Sequence, residues 1–173
     1  MAEEEKGSVS PEQDAVADDK VQQFSIDRIY VKDLSLESPR GAEAFKSWKP
    51  QVNLDINTKQ TSLQEGVHEV ILTLTVKVKE QESDSVYFLI EIQQAGLFRT
   101  KNIEGDHLRR VLASTAPATL FPYARETVDS LATKAGFPPL RLAPINFDAL
   151  LQAAIKQQGE GLDTSVPPKQ TIQ

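Results

Sequence analysis

The chain has 173 residues, 39% of them hydrophobic, and a formal net charge of −6. That length suits one domain. An acidic chain without a basic cluster repels phosphates, which excludes nucleic acid and an anionic membrane surface as expected partners. Cysteine is absent and only His68 and His107 are present, so a disulfide framework, a thiolate zinc site and a cysteine nucleophile are excluded, and no metal or cofactor is expected.

Most of the charge is at the start. Residues 1–20 hold seven acids against two lysines, leaving 18 acids against 17 bases for the rest of the chain. The stretch 1–22 has no apolar periodicity and is expected to be a disordered acidic tail. It is charged instead of apolar, and no run approaches the length of a membrane span. A cytoplasmic protein is expected.

Phe24 to Glu37 alternates, with Phe24, Ile26, Tyr30, Leu34 and Leu36 on one parity. Asp27, Asp33 and Glu37 take the other parity, together with Ile29 and Val31. The spacing predicts a long strand with an apolar face and a carboxylate face. Pro39 and Gly41 then end it. Shorter alternations follow at Val52–Asn57, Glu69–Lys79 and Val86–Gln93. The linkers are too short for crossover helices, so the four strands imply an antiparallel sheet with one greasy side.

After Gly96 the spacing turns helical. A helix is expected from Asp106, ending at Pro117. A second carries Leu120, Ala124, Thr127, Val128, Leu131 and Ala135 as its stripe and stops at Gly136. An extended Pro-rich connector leads to a third helix capped by Asn146. Residues 157–173, with two glycines and two prolines, are expected to be a flexible tail, leaving 23–156 as the folded domain. Strands first and helices afterwards is the α+β pattern, with helices packed on one face of the sheet.

Chemistry is hard to find along the chain. A phosphate loop, a dinucleotide fingerprint, a zincin helix and a nucleophile elbow are all missing. His68 beside a strand start suggests an ordinary, partly exposed side chain, and His107 a first-turn helix residue. No catalytic residue and no enzymatic activity are assigned, and a hydrolase or ligand-binding domain is the remote alternative. Two features have two readings each. The carboxylates of the first strand, with Leu89 and Glu91 outward on the fourth, are either a solvated face or a surface for a basic partner. Phe45 and Trp48, in the linker before the second strand, either anchor that loop to the core or line a groove for apolar peptides.

Four strings go further: Phe24 to Ser35, Trp48-Lys49-Pro50, Leu120 to Glu126, and Pro144 to Leu150. In this order they resemble SecB, the export chaperone family of Gram-negative bacteria, over about Phe24 to Leu151. The resemblance implies a four-stranded antiparallel sheet with helices on one side, assembled as a dimer of dimers. It implies an ATP-independent chaperone that holds unfolded precursor proteins and delivers them to the SecA motor. The family's SecA contact falls on Asp33, Glu37, Leu89 and Glu91, facing a basic, zinc-bearing tail whose zinc belongs to SecA. Precursor binding carries over to a groove beside Phe45, Trp48 and Leu54. A SecB-like chaperone dedicated to one client, such as an antitoxin, is the nearer alternative.

Overall fold

The computed structural model describes residues 21–159 and 170–172. Residues 1–20 and 160–169, where most of the two expected tails falls, lie outside the described residues. Four long strands, β1 (Gln23–Glu37), β2 (Pro50–Gln64), β3 (Val67–Glu80) and β4 (Val86–Lys101), form one antiparallel sheet. A short fifth strand, β5 (Gln170–Ile172), adds to the far edge of β2, giving the order β1-β4-β3-β2-β5. A 3-10 helix, Gly41–Phe45, sits in the crossover from β1 to β2. Three helices follow the sheet: α1 (Gly105–Arg110), α2 (Ala116–Lys134) and α3 (Phe147–Gly159). The expected α+β architecture holds.

The sheet owes its helix-facing side to alternation in β3 and β4. Val70, Leu72, Leu74, Val76 and Val78 of β3 and Phe88, Ile90 and Ile92 of β4 are at most 1% exposed. Burying each such side chain contributes about 1.5–3 kcal/mol. Against them lie Leu120, Ala124, Val128 and Ala132 of α2, all fully buried at helical spacing. Leu131 and Ala135 are partly buried against the same core.

β4 runs well past the expected end at Gln93, because Gly96 serves the packing and does not end the strand. A Cβ on Gly96 would lie 2.6 Å from Phe98 Cε2 and 2.9 Å from Leu120 Cδ2. Only a residue without a side chain lets α2 approach the strand this closely. β2 is likewise longer than its apolar alternation, since its distal half, Thr58–Gln64, is exposed and polar except for Leu63 and is held as a strand by its register with β3.

β1 departs from the expected parity. Its register on β4 slips between Ile26 and Arg28 and again between Val31 and Asp33. Each bulge adds one residue and flips the faces. Ile29, opposite Gly96, and Val31 therefore join Phe24, Ile26, Leu34 and Leu36 on the helix side, while Tyr30, opposite Ala95, turns outward. Gln94 Nε2 supports the second bulge by donating to the Tyr30 carbonyl at 2.9 Å.

Pro117 does not end a helix as expected. Residues Val111–Thr115 form a π-helical segment that joins α1 to α2 in one continuous helical run. The wider turn, with the Ala116 amide bonded to the Val111 carbonyl, relieves the clash that a proline ring makes in a tight α-turn. The stop at Gly136 holds. At φ +87° it lets the Gly136 amide donate to Thr133 O at 3.0 Å and the Phe137 amide to Ala132 O at 2.9 Å, a Schellman closure. Asn146 caps α3 as expected, its Oδ1 accepting from the Ala149 amide at 2.9 Å.

Candidate functional site

The outward face of the sheet is built by register. Glu37 lies opposite Leu89, Ser35 opposite Glu91 and Asp33 opposite Gln93. Directly opposed Cβ atoms on one face are about 4.5–5.5 Å apart, so all four residues expected to form the SecA contact, Asp33, Glu37, Leu89 and Glu91, come together on β1 and β4. Asp33, Glu37 and Glu91 are exposed and Leu89 is half-buried. The next strands extend the patch with Thr75, opposite Glu91, and Asp55, opposite Thr75.

The patch sets Asp33, Glu37, Glu91 and Asp55 against one cation, Lys77, opposite Leu89 on the same face, and other nearby cations are committed elsewhere. Lys32 bonds Glu69 at 2.9 Å, Lys79 bonds Asp84 at 2.7 Å and Arg99 bonds Asp27 at 2.6 Å. Among the described residues no ion pair engages Asp33, Glu37 or Glu91, and Glu91 has only a long 3.4 Å bond from Thr75 Oγ1. Asp27 shared their parity in the sequence but belongs with Arg99, beside the first bulge, and is not part of the acidic cluster.

A polar clasp lies beside the patch. Tyr30 Oη and Lys32 Nζ both donate to Glu69. The Tyr30 bond, then Lys32, hold the Glu69 carboxyl below the usual glutamate range. A carboxylate whose folded pKa is depressed stabilises the fold above its unfolded value of about 4.3, and the contribution is lost as pH falls through the folded value. Urea midpoints measured between pH 3 and 7 are therefore expected to fall less steeply on the acid side for Glu69→Gln than for the unaltered chain.

On the opposite face of the sheet, at the end where β1 leaves at Glu37 and β4 begins, the crossover builds an aromatic cluster. A register shift in β4 between its partners Val78 and Lys79 leaves Tyr87 without a Cα partner, so Tyr87 and its neighbour Phe88 are both fully buried. Tyr87 anchors the crossover: its hydroxyl accepts from the Lys49 amide at 3.2 Å, its carbonyl accepts from Ser38 Oγ at 3.2 Å, and Arg40 lies over its ring at 5.1 Å. Phe137, delivered by the Schellman turn, packs among Phe88 at 4.7 Å, Phe45 at 5.2 Å and Trp48 at 5.3 Å between ring centroids.

Of the expected groove residues, Phe45 is 56% exposed and Trp48 36% exposed. Each presents one face to solvent and one to Phe137. Leu54 is corrected: at 1% exposed it is part of the core and offers a ligand no surface. Tyr87 and Phe137 were missed as floor residues. For Phe137 the signal was present, because an apolar residue after a helix-ending glycine is the usual partner of that cap.

His68 is corrected too. It is 7% exposed, with Nε2 3.1 Å from Thr100 Oγ1, and is a core polar pair instead of a partly exposed side chain. His107 is exposed in the first turn of α1. Among the described residues no group of His, Asp and Glu is arranged to hold a metal ion, and no helix is long and apolar enough to cross a membrane.

Comparison with known proteins places these features. Residues 17–158 match the family model of the preprotein translocase subunit SecB. The protein-export protein SecB of Pseudomonas fluorescens Pf-5 is 47% identical over 159 residues, covering 90% of this chain and 99% of its own. That of Marinobacter nauticus is 46% identical over 150 residues, covering 86% and 90%. Among solved structures, the SecB-like chaperone of Mycobacterium tuberculosis, in complex with a peptide from an antitoxin, superposes with a TM-score of 0.59 at 19% identity. It covers 70% of this chain and 90% of its own, which establishes likeness of fold. With the match spanning the four long strands and the helices up to residue 158, the chain belongs to the SecB family of protein-export proteins.

Proposed function

We propose that the chain is an ATP-independent cytoplasmic chaperone that holds unfolded precursor proteins on its aromatic groove and delivers them to SecA through the acidic sheet face. The observation that carries this reading is an open aromatic surface in a SecB-family chain: Phe45 and Trp48 half-exposed over a buried floor of Tyr87, Phe88 and Phe137. Apolar segments of an unfolded chain bury surface there without needing a particular sequence. The exposed carboxylates at Asp33, Glu37 and Glu91, around Leu89, support a basic partner by complementarity.

Assembly as a dimer of dimers is part of the proposal. It is supported by apolar side chains left open on the helix side of the edge strand β1, where Ile26, Val31 and Leu34 are 40–45% exposed, and by Tyr123, 51% exposed on α2. A tetramer multiplies grooves, and several weak contacts on one client raise avidity.

Aggregation of a diluted, unfolded precursor, followed by light scattering without nucleotide, tests the reading. Suppression at near-stoichiometric chaperone is expected, and a chain that gives no protection sinks it. Pull-down from the native host separates the two chaperone roles: SecA is expected, and recovery of a single dedicated client in its place would move the protein to the nearer alternative.

A further inference from the structure

The far edge of β2 is an exposed row of backbone donors and acceptors, and the chain covers part of it with its own end. β5 pairs antiparallel with β2 through Val52–Ile172, Asn53–Thr171 and Leu54–Gln170. The covered stretch starts four residues after Trp48, so it lies next to the aromatic groove in the chain. From Ile56 to Gln64 the same edge carries no partner among the described residues. Uncovered edges of this kind take an added strand from any extended peptide, with main-chain hydrogen bonds supplying affinity and little demand on sequence.

We propose that β5 is a displaceable stand-in for client backbone: the C-terminal segment Gln170–Ile172 occupies the edge of β2 beside the groove, and an unfolded client must displace it to pair there. The inference rests on the chaperone reading and adds a self-competition to it. Three paired residues make a weak strand, because each backbone hydrogen bond contributes no more than ordering one residue costs. Tethering compensates. A ten-residue connection, residues 160–169, keeps the segment at an effective concentration on the order of millimolar. The result is an occupant strong enough to cover a sticky edge in the empty chaperone and weak enough to yield to a client that also fills the aromatic groove.

The test compares the full chain with a chain ending at Lys169 and with a Thr171→Pro/Ile172→Pro double variant, which keeps the length but not the pairing. The probe is a fluorescently labelled, reduced and carboxymethylated protein that stays unfolded in native buffer. If the edge is self-occupied between half and nine-tenths of the time, both altered chains bind the probe about two- to tenfold more tightly. Amide hydrogen exchange at residues 52–54 reads the pairing without a client: exchange is expected to quicken in both altered chains and to slow again when the probe binds. Equal probe affinity in all three chains, or exchange at 52–54 that none of the changes moves, overturns the proposal. A full chain that fails to bind the probe removes the chaperone reading instead, and the exchange arm without probe still decides whether β5 covers the edge.

Discussion

Glu91→Lys is expected to weaken binding of SecA by tenfold or more while leaving aggregation suppression and unfolding midpoint unchanged. Glu91 is exposed on the outward face, opposite Ser35 and flanked by Asp33 and Glu37 on β1. Among the described residues its side chain takes one hydrogen bond, the long 3.4 Å bond from Thr75, so the fold loses little with it. Surface substitutions of this kind usually change stability by less than about 0.5 kcal/mol. A basic partner, by contrast, meets a like charge where it met an opposite one, and such a juxtaposition costs several kcal/mol, of which 1.4 is already tenfold. Asp33→Lys should act in the same direction. Asp27→Asn is the control, since Asp27 is occupied by Arg99 at 2.6 Å and lies beyond the first bulge. Affinities measured at two salt concentrations should differ more for the unaltered chain than for Glu91→Lys, because exposed charges are screened. A SecA affinity that neither reversal changes would take this face out of the site.

The parts of the fold that were legible from sequence are those where one local rule acts alone. Alternation in β3 matched the buried face residue by residue, and Gly136 and Asn146 announced their caps because only the local backbone is involved. What failed were places where a neighbour overrides the local pattern. Two bulges in β1 are set by its pairing with β4, and no periodicity within β1 reveals them. Gly96 looked like a strand end, but its lack of a side chain answers to Leu120, in a helix that follows later. Pro117 was expected to break a helix, yet the π-helical turn before it accommodates the ring. The acidic patch survived these errors because Asp33 and Glu37 both follow the second bulge and keep their mutual parity. The groove was legible only at its rim, since Phe45 and Trp48 share a short loop while Tyr87 and Phe137 reach it from distant elements.

That division between rim and floor makes two substitutions diverge. Phe137→Ala removes a ring that is 4% exposed and packs against Phe45, Trp48, Tyr87 and Phe88. Truncating a buried phenylalanine costs about 3–5 kcal/mol, so a marked fall in the urea midpoint is expected. Client affinity should fall with it, because Phe45 and Trp48 lose the surface they rest on. Trp48→Ala deletes a ring that keeps one face in solvent while it stacks on Phe137 at 5.3 Å and meets Tyr87 at a tilt at 5.0 Å. Its cost in stability should be the smaller of the two, and its cost in client affinity comparable. The comparison separates the two readings of the loop aromatics. If they are anchors only, Trp48→Ala lowers the midpoint and leaves client affinity intact. If they form a binding surface, affinity falls even at temperatures where the variant is fully folded, and a conservative Trp48→Phe recovers most of it. SecA binding should be unchanged in Trp48→Ala, since Asp33 and Glu91 sit on the other face of the sheet, and its loss would mean that the crossover also shapes the acidic patch through Glu37.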